Sequence, residues 1–539
     1  MSSTRSKIGI TARQWFIFFA CVAPLAVLGL ALWWRWDALW LLILVGLIVI
    51  VGVHDMTQRN HSILRVYPVL GHGRFLAERI RPEIQQYFVE SEINGTPFNR
   101  EIRSVVYQRA KHQVDALPFG TQRSVYEPGY EFLSHSLAPQ PTPAEELRLV
   151  IGGPECRRPY AASHLNISAM SFGSLSAPAI EALNWGAAQA GFAHNTGEGS
   201  VSPYHLIHGG DLTWQIGTGY FGCRTPDGDF DPDGFAETAT IDPVKMIEIK
   251  LSQGAKPGHG GILPGAKVTP EIALTRGVPV GETVVSPPVH RTFDDPIGLL
   301  GFVTQLRDLS GGKPVGFKLC VGRRHEFLAI ARAMVETGTT PDFITVDGGE
   351  GGTGAAPLEL SDHVGMPMRD AVHFVNSALC GVGLRDRIRV LASGKTATGM
   401  DMVRTIALGA DGTNAARSMM LALGCIQSRR CHDNTCPTGV ATQDPGRARG
   451  LVVEEKAQRV AAYHEETIEA FLELFASMGC TDPSEIDPGH LMRRLDESTI
   501  TTYAQLYPAL PMGSLLEPGD VAPPVWRDAW AAVRADSFA

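Results

Sequence analysis

Charge-free apolar runs dominate the beginning of the chain. Trp15–Trp34 contains no charged residue, and a second apolar run covers Ala38–Val53. At about 1.5 Å of rise per residue, a helix of about twenty residues spans a hydrocarbon core of about 30 Å. The pattern therefore predicts two helices that form a transmembrane hairpin. The second run is short for a span, and local thinning of the bilayer would accommodate it.

Basic residues flank the outer ends of this hairpin: Arg5, Lys7 and Arg13 before it, and Arg59 and Arg65 after it. Its turn holds only Arg35, whose charge Asp37 offsets. The positive-inside rule then places both ends in the cytoplasm, which predicts a cell-membrane protein with its catalytic domain on the cytoplasmic side. A cleaved signal peptide and a buried hairpin of a soluble protein remain alternatives. The first run is too long for a signal, and no cleavage site precedes the second.

Short apolar runs that end in glycine-rich turns recur from about Leu149 to Gln443. Examples are "LNISAMSFG", "PVGFKLCVG", "PDFITVDGGEGGTGA" and "RIRVLASGKTATG". Helical periods such as "EFLAIARAMVETG" lie between them. A repeat of strand, glycine turn and helix predicts a βα barrel or an open α/β sheet. Ligands of a barrel bind at the loops after the strands, where these glycines lie.

Changes in composition divide the chain into four predicted segments. Residues 1–55 are a membrane anchor, and residues 56–148 are a mixed helical accessory region that ends in the proline-rich "LAPQPTPAEEL". Residues 149–445 form the barrel with its cysteine loop, and residues 446–539 form a C-terminal helical extension. The net charge of −9 and the pI of about 6.0 predict no nucleic-acid partner. No Rossmann, Walker A or GxSxG motif is present.

Three of the nine cysteines fall close together in "GCIQSRRCHDNTCPTGVATQ": Cys425, Cys431 and Cys436. The absence of a cleavable signal peptide argues against a disulfide framework. Zinc prefers four ligands, and His432 as the fourth would be adjacent to Cys431 in the sequence. Three thiolates suit a three-iron cluster, or a four-iron cluster with an outside ligand. Spacing favours iron–sulfur, while zinc and unreactive buried thiols remain open.

Glycine loops and one lysine indicate an anionic cofactor. "VDGGEGGTGAAP" can bring backbone N–H groups to an anionic ring, or it is a tight turn. "LASGKTATG" and "DGTNAARS" follow successive strands, where barrels commonly bind a phosphate. Lys318 lies within an apolar strand. It is either a cation that stabilises a reduced flavin or a partner in a structural ion pair.

A second glycine-rich loop carries basic side chains. Gln253–Thr269 holds Lys256, His259 and Lys267, and Arg276 follows. Clustered cations suit a dicarboxylate substrate, and the alternative is a solvated basic loop. Glu198 lies between two glycines in "HNTGEG". It is a candidate proton handler or orienting acid, against the alternative of a structural turn residue.

Six motifs follow one another over residues 150–445: "SAMSFGSLS", "NTGEG", "QGAKPGHGGILPGAKVT", "SPP", "DGGEGGTGA" and "CHDNTCPTGVATQ". In this order they resemble the central and FMN-binding domains of glutamate synthases. The resemblance implies an α/β fold, an FMN-binding (β/α)8 barrel of TIM type, here preceded by the predicted helical hairpin and a small helical segment. It also implies that Cys425, Cys431 and Cys436 ligate a [3Fe–4S] cluster.

The resemblance further implies roles for particular residues. FMN contacts map onto Ser168, Ala169, Met170, Ser171, Lys318, Gly351, Gly352, Thr353, Ser393, Gly394, Lys395, Ala415, Ala416 and Arg417. Substrate carboxylates map onto Lys256 and Arg276, with His259 in the same loop. Glu198 and Lys318 are the expected catalytic residues.

The implied reaction is the synthase half of glutamate formation. Ammonia and 2-oxoglutarate give 2-iminoglutarate, reduced FMN delivers hydride to it, and the cluster resupplies electrons. The resemblance implies a glutaminase domain in complete synthases, but here we expect none ahead of the barrel. Ammonia is therefore expected from solution or from a partner. Electrons are expected from ferredoxin, a reductase subunit or a membrane carrier. Assembly as a homo-oligomer is left open.

Three positions depart from the family pattern. The chain has His259 and Ile262 where an acid and an amide are typical, and Gly349 where a histidine is common. Loss of the amide removes a carboxylate donor and the histidine inverts the charge preference, so the prediction includes a related amino or oxo acid as the substrate. The alternative function is a flavin and iron–sulfur electron-transfer module coupled to a membrane partner.

Overall fold

The computed structural model describes residues 10–113, 116, 118–517, 519 and 521–539. The chain divides into two compact units between Gly95 and Thr96. Arg5 and Lys7, on which the predicted membrane orientation partly rests, lie outside the described residues.

The first unit is helical. Its helices are Ala12–Trp33, Leu41–Thr57, Ser62–Val66 and His72–Ile84, with a 3-10 turn at Trp36–Trp40 and a π turn at Gln85–Val89. Two spans, Ala12–Trp33 and Trp36–Thr57, are long and apolar enough to cross a membrane, and most of their residues are not buried in the protein. The two predicted apolar helices are thus present. The second span is longer than its sequence run because the 3-10 turn adds Trp36 and Asp37 before it and the helix continues to Thr57 after it.

The second unit contains a closed barrel of eight parallel strands. The strands are Leu165–Ile167 (β1), His194–Asn195 (β2), Leu212–Ile216 (β3), Val244–Lys250 (β4), Val315–Leu319 (β5), Phe343–Asp347 (β6), Arg389–Ser393 (β7) and Gly412–Ala415 (β8). Each strand pairs with the next along the chain, and β8 pairs with β1. The predicted barrel is confirmed. Strands that are buried on both faces have nearly continuous apolar sequences, which is why these strands could be predicted from the sequence.

Helices follow the strands around the barrel: Ala177–Ala190, Pro203–Leu206, Pro232–Ala239, Pro270–Arg276, Pro296–Leu309, Arg324–Thr337, Leu358–His363, Met368–Gly381, Gly399–Ala407 and Arg417–Ala422. Local sequence explains several of their ends. Ser176 and Asp295 accept hydrogen bonds as N-caps before a proline-containing first turn. Gly191, at φ 70°, ends the first of these helices in the left-handed conformation that glycine adopts without strain.

Further elements surround the barrel. The helices are Arg100–Arg109, Pro445–Ala448, Val453–Ser477, Tyr503–Leu506 and Pro524–Ala532. Short 3-10 turns occur at Gly197–Gly199, Gly265–Lys267, Arg385–Arg387, Pro483–Glu485 and Pro488–His490. There are also three small antiparallel sheets. In the first, Leu491–Arg494 is the central strand and pairs with Glu131–Leu133 and with Ile500–Thr502. The other two pair Leu149–Ile151 with Tyr160–Ala162 and Ile262–Leu263 with Val284–Val285.

The register of the barrel collects polar side chains at the carboxyl ends of the strands. Lys250 of β4 lies opposite Lys318 of β5. Asp347 of β6 lies opposite Ser393 of β7, which in turn lies opposite Asn414 of β8. The residues that can carry chemistry therefore face one end of the barrel.

Candidate active site

A cavity of about 1010 Å³ opens at the carboxyl ends of the strands. Most of the predicted site residues line it: Ser168, Ala169, Met170, Ser171, Glu198, Lys256, Lys318, Gly351, Gly352, Thr353, Ser393, Gly394, Lys395, Ala416, Arg417, Cys425, Cys431 and Cys436. Three others are not part of its wall: Ala415, His259 and Arg276. The structure thus brings together residues that the sequence scatters over more than half of the chain.

Lys318 is buried at the end of β5 and forms an ion pair. Its Nζ lies 3.2 Å from Asp347 Oδ2, whose carboxylate also accepts the Gly254 amide at 2.9 Å. Burial acts to lower the pKa of Lys318, but Asp347 and then Glu248 outweigh it and raise the pKa above its ordinary value. Lys318 is therefore a fixed positive charge on the cavity wall, held in the ion pair with Asp347.

Glu248 lies below this ion pair in a fully hydrogen-bonded network. Its carboxylate accepts the Asn195 and Gln215 side-chain amides at 2.8 and 2.7 Å and the Thr345 hydroxyl at 2.6 Å. Buried polar groups that are fully satisfied in this way hold a site rigid. The network includes Gln215, which lines the cavity, and its Glu248 carboxylate helps to raise the pKa of Lys318.

Glu198 forms a second buried ion pair, with Lys250. The distance from Lys250 Nζ to Glu198 Oε2 is 3.1 Å. Burial acts to raise the pKa of Glu198, but Lys250 first and Arg276 next lower it below the ordinary value of a glutamate. Glu198 is consequently ionised at neutral pH, although it is buried.

Two glycines make room for the Glu198 carboxylate. A Cβ placed on Gly261 would lie 1.8 Å from Glu198 Oε1, and a Cβ on Gly217 would lie 2.8 Å from its Oε2. Real Cβ atoms do not approach other atoms so closely. The glycine-rich loop and the residue after β3 therefore enclose the carboxylate between them.

The basic loop places its side chains in different surroundings. Lys256 lines the cavity and donates to the Ala355 carbonyl at 2.9 Å. His259 instead makes its hydrogen bond to the Gly260 carbonyl at 2.9 Å. Lys267 is buried and donates to three backbone carbonyls, those of Ser174, Cys431 and Ala441. Of these three side chains, only that of Lys256 lines the cavity.

Arg276 stands behind the cavity wall. Its guanidinium donates to Ser171 Oγ at 3.1 Å and to the Phe172 carbonyl at 2.9 Å, and it lies over the Phe221 ring. Burial lowers the pKa of Arg276 to about 10 and Glu198 opposes that shift, so the guanidinium remains charged at neutral pH. Its charge acts on Glu198 through space.

The loops after β7 and β8 place two cations together. Burial first and Arg417 second lower the pKa of Lys395. Arg417 donates to the Glu350 carbonyl at 2.7 Å. Like charges that are held close together and partly desolvated are stabilised by an anion between them. Lys395 has φ 51°, a left-handed conformation that is strained for a residue with a side chain and often marks a functional loop.

The three cysteines of the loop line the same cavity and affect one another electrostatically. Burial first, and then Cys431 and Cys436, raise the pKa of Cys425 to about 12, although the hydrogen bond from the Gln427 amide opposes the rise. Burial also raises the pKa of Cys431. For Cys436, burial is outweighed by hydrogen bonds from Thr438 and from backbone amides, and its pKa is lowered. Among the described residues, no group of three or more ligating side chains encloses a single metal ion.

Several residues that line the cavity were not predicted as site residues from the sequence: Pro97, Phe98, Gln215, Lys250, Gln253, Asp347, Asn414 and Gln427. A signal existed for Lys250, because "VKMIEIK" alternates and period two puts Glu248 and Lys250 on the same face of β4. No local signal existed for Phe98, which precedes the barrel by many residues.

The family of the chain follows from sequence comparison. The model of the conserved region in glutamate synthase matches residues 140–481. The glutamate synthase large subunit-like protein YerD of Bacillus subtilis (strain 168) is 38% identical over 491 residues, which cover 84% of this chain and 93% of that protein. This chain belongs to the glutamate synthase family. The recognition made from its motifs is confirmed.

Other relatives cover less. The archaeal glutamate synthase [NADPH] of Archaeoglobus fulgidus is 35% identical over 315 residues, 58% of this chain and 58% of that protein. Among solved structures, a mutant flavocytochrome b2 with pyruvate bound gives a TM-score of 0.40 at 12% identity and covers 78% of this chain and 85% of that one. Mandelate oxidase with (S)-2-phenylpropionate gives 0.40 at 16% identity, with coverages of 73% and 98%. Nothing about ligands follows from scores this low.

Proposed function

We propose that this member of the glutamate synthase family is an FMN- and iron–sulfur-containing oxidoreductase that forms an amino acid from a 2-oxo acid and ammonia. 2-Oxoglutarate and L-glutamate are the first candidates for substrate and product. One observation carries the proposal. A single cavity is lined by the paired cations of the β7 and β8 loops, by Lys318, by the ionised Glu198 and by three cysteine thiols.

The cavity lining suits both the phosphate and the flavin ring of FMN. Lys395 and Arg417 suit the phosphate. Gly352 leaves room for the Arg417 side chain, since a Cβ at Gly352 would lie 2.8 Å from Arg417 Cδ. Lys318 offers the positive charge that favours a reduced, anionic flavin ring. When bound and reduced, FMN supplies the hydride that this chemistry needs. The residues therefore hold the phosphate and set the charge beside the ring.

The donor set of the cysteine loop suits an iron–sulfur cluster, in which each iron takes its own thiolate. Cys425, Cys431 and Cys436 all line the one cavity. Cys425, Cys431 and Cys436 would hold a [3Fe–4S] cluster, which would pass single electrons.

Lys256 and Glu198 have separate roles in the proposed reaction. Ammonia adds to the oxo carbon with loss of water, and the resulting imine takes up a hydride and a proton to give the amino acid. Lys256 lines the cavity, and a lysine there suits the carboxylate next to that carbon. Glu198, held ionised by Lys250, can accept a proton as the nitrogen adds.

A different oxo acid is the second candidate. Ile262 lines the cavity with an apolar side chain, while His259 and Arg276 contact protein groups instead of the cavity. An apolar surface suits a substrate whose side chain lacks the second carboxylate of 2-oxoglutarate. Ammonia would come from solution or a partner protein. Electrons would come from ferredoxin, a reductase subunit or a membrane carrier.

We also propose that the two apolar helices tether the enzyme to the cell membrane. Ala12–Trp33 and Trp36–Thr57 are each 22 residues long. Exposed tryptophans flank the turn between them, Trp33, Trp34, Trp36 and Trp40, as in the aromatic belt of a membrane interface. Residues 1–55 would act as the anchor, 56–148 as an accessory region, 149–445 as the catalytic barrel and 446–539 as a helical extension.

The decisive experiment uses the detergent-purified full chain. Flavin and iron are measured, the protein is reduced anaerobically with dithionite, and ammonium with 2-oxoglutarate is added while flavin absorbance is followed. Reoxidation that needs both additions, with formation of glutamate, supports the proposal, and Glu198→Gln should abolish it. Reoxidation with another oxo acid supports the second candidate. Bound cofactors with no reoxidation by any oxo acid and ammonium would identify an electron-transfer module instead.

A further inference from the structure

One wall of the cavity comes from a segment outside the region that the family model matches. Pro97 and Phe98 line the cavity, whereas the match begins at residue 140. They immediately precede the helix Arg100–Arg109, whose N-cap Asn99 accepts the Ile102 amide at 2.9 Å. That helix packs against Arg417–Ala422 and Val453–Ser477. The segment is therefore fixed to the barrel at the end where the cofactor groups lie.

Phe98 covers Arg417. The Arg417 guanidinium carbon lies 5.2 Å from the centre of the Phe98 ring, and only 5% of Phe98 is exposed. A cation over an aromatic face is attracted by the ring, and the attraction is stronger when both groups are shielded from water. On another side, the guanidinium donates to the Glu350 carbonyl. Ring and carbonyl together restrict the orientation of the Arg417 side chain.

Gln427 of the cysteine loop holds Phe98 by both of its backbone groups. The Phe98 amide donates to Gln427 Oε1 at 2.9 Å, and Gln427 Nε2 donates to the Phe98 carbonyl at 3.0 Å. These bonds join residues 329 positions apart in the chain. Gln427 has φ 56°, which is strained for a residue with a side chain. Its amide bonds to Phe98 are the kind of contact that can maintain such a conformation.

The backbone at Gln427 also contacts a cysteine of the loop. The Gln427 backbone amide donates to Cys425 Sγ at 3.4 Å, and the Tyr107 hydroxyl donates to the Cys425 carbonyl at 2.7 Å. Hydrogen bonds to sulfur and to the backbone of a ligand tune and orient ligands of a metal centre. Residues 96–109 therefore contact both Arg417 and the cysteine loop.

We infer that Phe98 and Gln427 act as a pair of positioning residues for the cofactor: Gln427 fixes Phe98, and the Phe98 ring holds Arg417 in place to bind the FMN phosphate. The inference rests on the proposed function, because it concerns the same cavity and its FMN. It adds that a segment ahead of the barrel, outside the matched region, completes the cofactor site.

The test measures FMN release from the purified full-length protein. Free FMN is followed by its fluorescence after dilution. Phe98→Leu keeps the apolar bulk but removes the aromatic face, and it should release FMN about fivefold faster, the effect expected for one partly shielded cation–aromatic contact. Phe98→Tyr keeps the face and should restore wild-type release. Phe119→Leu, at a fully exposed phenylalanine, is the matched control.

A double-mutant cycle tests the pairing. Gln427→Ala should also release FMN faster, and Phe98→Leu with Gln427→Ala should be no worse than the more severe single variant, because the two residues act through one arrangement. The thermal midpoint of each FMN-free protein shows whether release reflects general loss of stability. Faster FMN release by a variant whose thermal midpoint equals that of the wild type supports a positioning role for the replaced residue. Fully additive effects would overturn the pairing.

The outcomes separate this inference from the proposed function. A wild-type protein that binds FMN, with a Phe98→Leu variant that releases it at the wild-type rate, overturns only the role of Phe98. Faster release by Phe98→Leu and Phe98→Tyr alike overturns the aromatic contact as its cause. A wild-type protein that neither contains nor takes up FMN overturns both the proposed function and this inference.

Discussion

Glu198 and Lys250 form a buried ion pair in which Oε2 and Nζ are 3.1 Å apart, and both residues line the same cavity. The pair decides the protonation state of the carboxylate closest to the expected chemistry. Without its cationic neighbours, burial alone would raise the pKa of Glu198 and protonate it more readily.

Replacing Lys250 should therefore change the pH dependence of the reaction. In Lys250→Met the pKa of Glu198 rises, so the acidic limb of the pH–rate profile should move to higher pH. Lys250→Arg keeps the charge and should stay near the wild-type profile. In Glu198→Gln the limb that belongs to Glu198 should vanish. A Lys250→Met profile with an unmoved acidic limb would show that Lys250 does not control Glu198.

The same pair has a consequence for stability. The pKa of Glu198 is lowered on folding, so its contribution is present above the unfolded pKa and is lost as the pH falls through the folded pKa. Removal of one partner from a buried ion pair costs on the order of 3–5 kcal/mol. Lys250→Met should lower the free energy of unfolding at neutral pH, with a smaller difference from wild type in acid. Urea unfolding at several pH values measures it.

Gly261 should be required for the position of Glu198. A Cβ at Gly261 would overlap the carboxylate, at 1.8 Å from Oε1. Gly261→Ala must displace either the loop or Glu198, and we expect kcat/KM to fall about tenfold or more, in line with overpacking costs of about 1–3 kcal/mol. Gly322→Ala is the matched control, since nothing lies within 4 Å of its added Cβ. Equal activity of the two variants would contradict this role of Gly261.

The cysteine loop should account for the iron of the protein. Cys425→Ser, Cys431→Ser and Cys436→Ser should each lower iron content and remove the electron paramagnetic resonance signal of an oxidised three-iron cluster, because each thiolate serves a different iron. Cys156→Ser should leave iron unchanged, since Cys156 donates to the Gly312 carbonyl instead and is not on the cavity wall. Full iron content in all three loop variants would refute the cluster assignment.

The apolar helices should retain the full chain in membranes. After an alkaline wash of isolated membranes, the wild-type protein should remain in the pellet. Leu44→Arg combined with Leu47→Arg places two charges at exposed positions in the middle of the second helix, at a cost of about 2.5–3.5 kcal/mol each in a bilayer. This variant should be released more readily than one with Leu44→Val and Leu47→Val. Wild-type protein in the supernatant would exclude the membrane tether.

The sequence by itself determined the barrel and the two apolar helices, and most of the site residues predicted from it line the cavity. Those features are local: strand, glycine turn and helix repeat along the chain, and motifs mark the strand ends. The barrel then gathers the strand ends at one face, so Ser168, Glu198, Lys318 and Arg417 could be assigned to one site before their contacts were known.

Only the tertiary structure decided which groups touch. In the fold, Lys250 pairs with Glu198 and Lys318 pairs with Asp347. Lys267 donates to the Cys431 carbonyl of the cysteine loop, although the sequence neighbours of Lys267 suggested that it binds substrate. The tertiary structure also placed Phe98 against Arg417 from outside the barrel sequence. The physical reason is that hydrophobic periodicity specifies which face of an element is buried. The partner of a buried charge depends instead on strand register and loop closure between residues far apart in the chain.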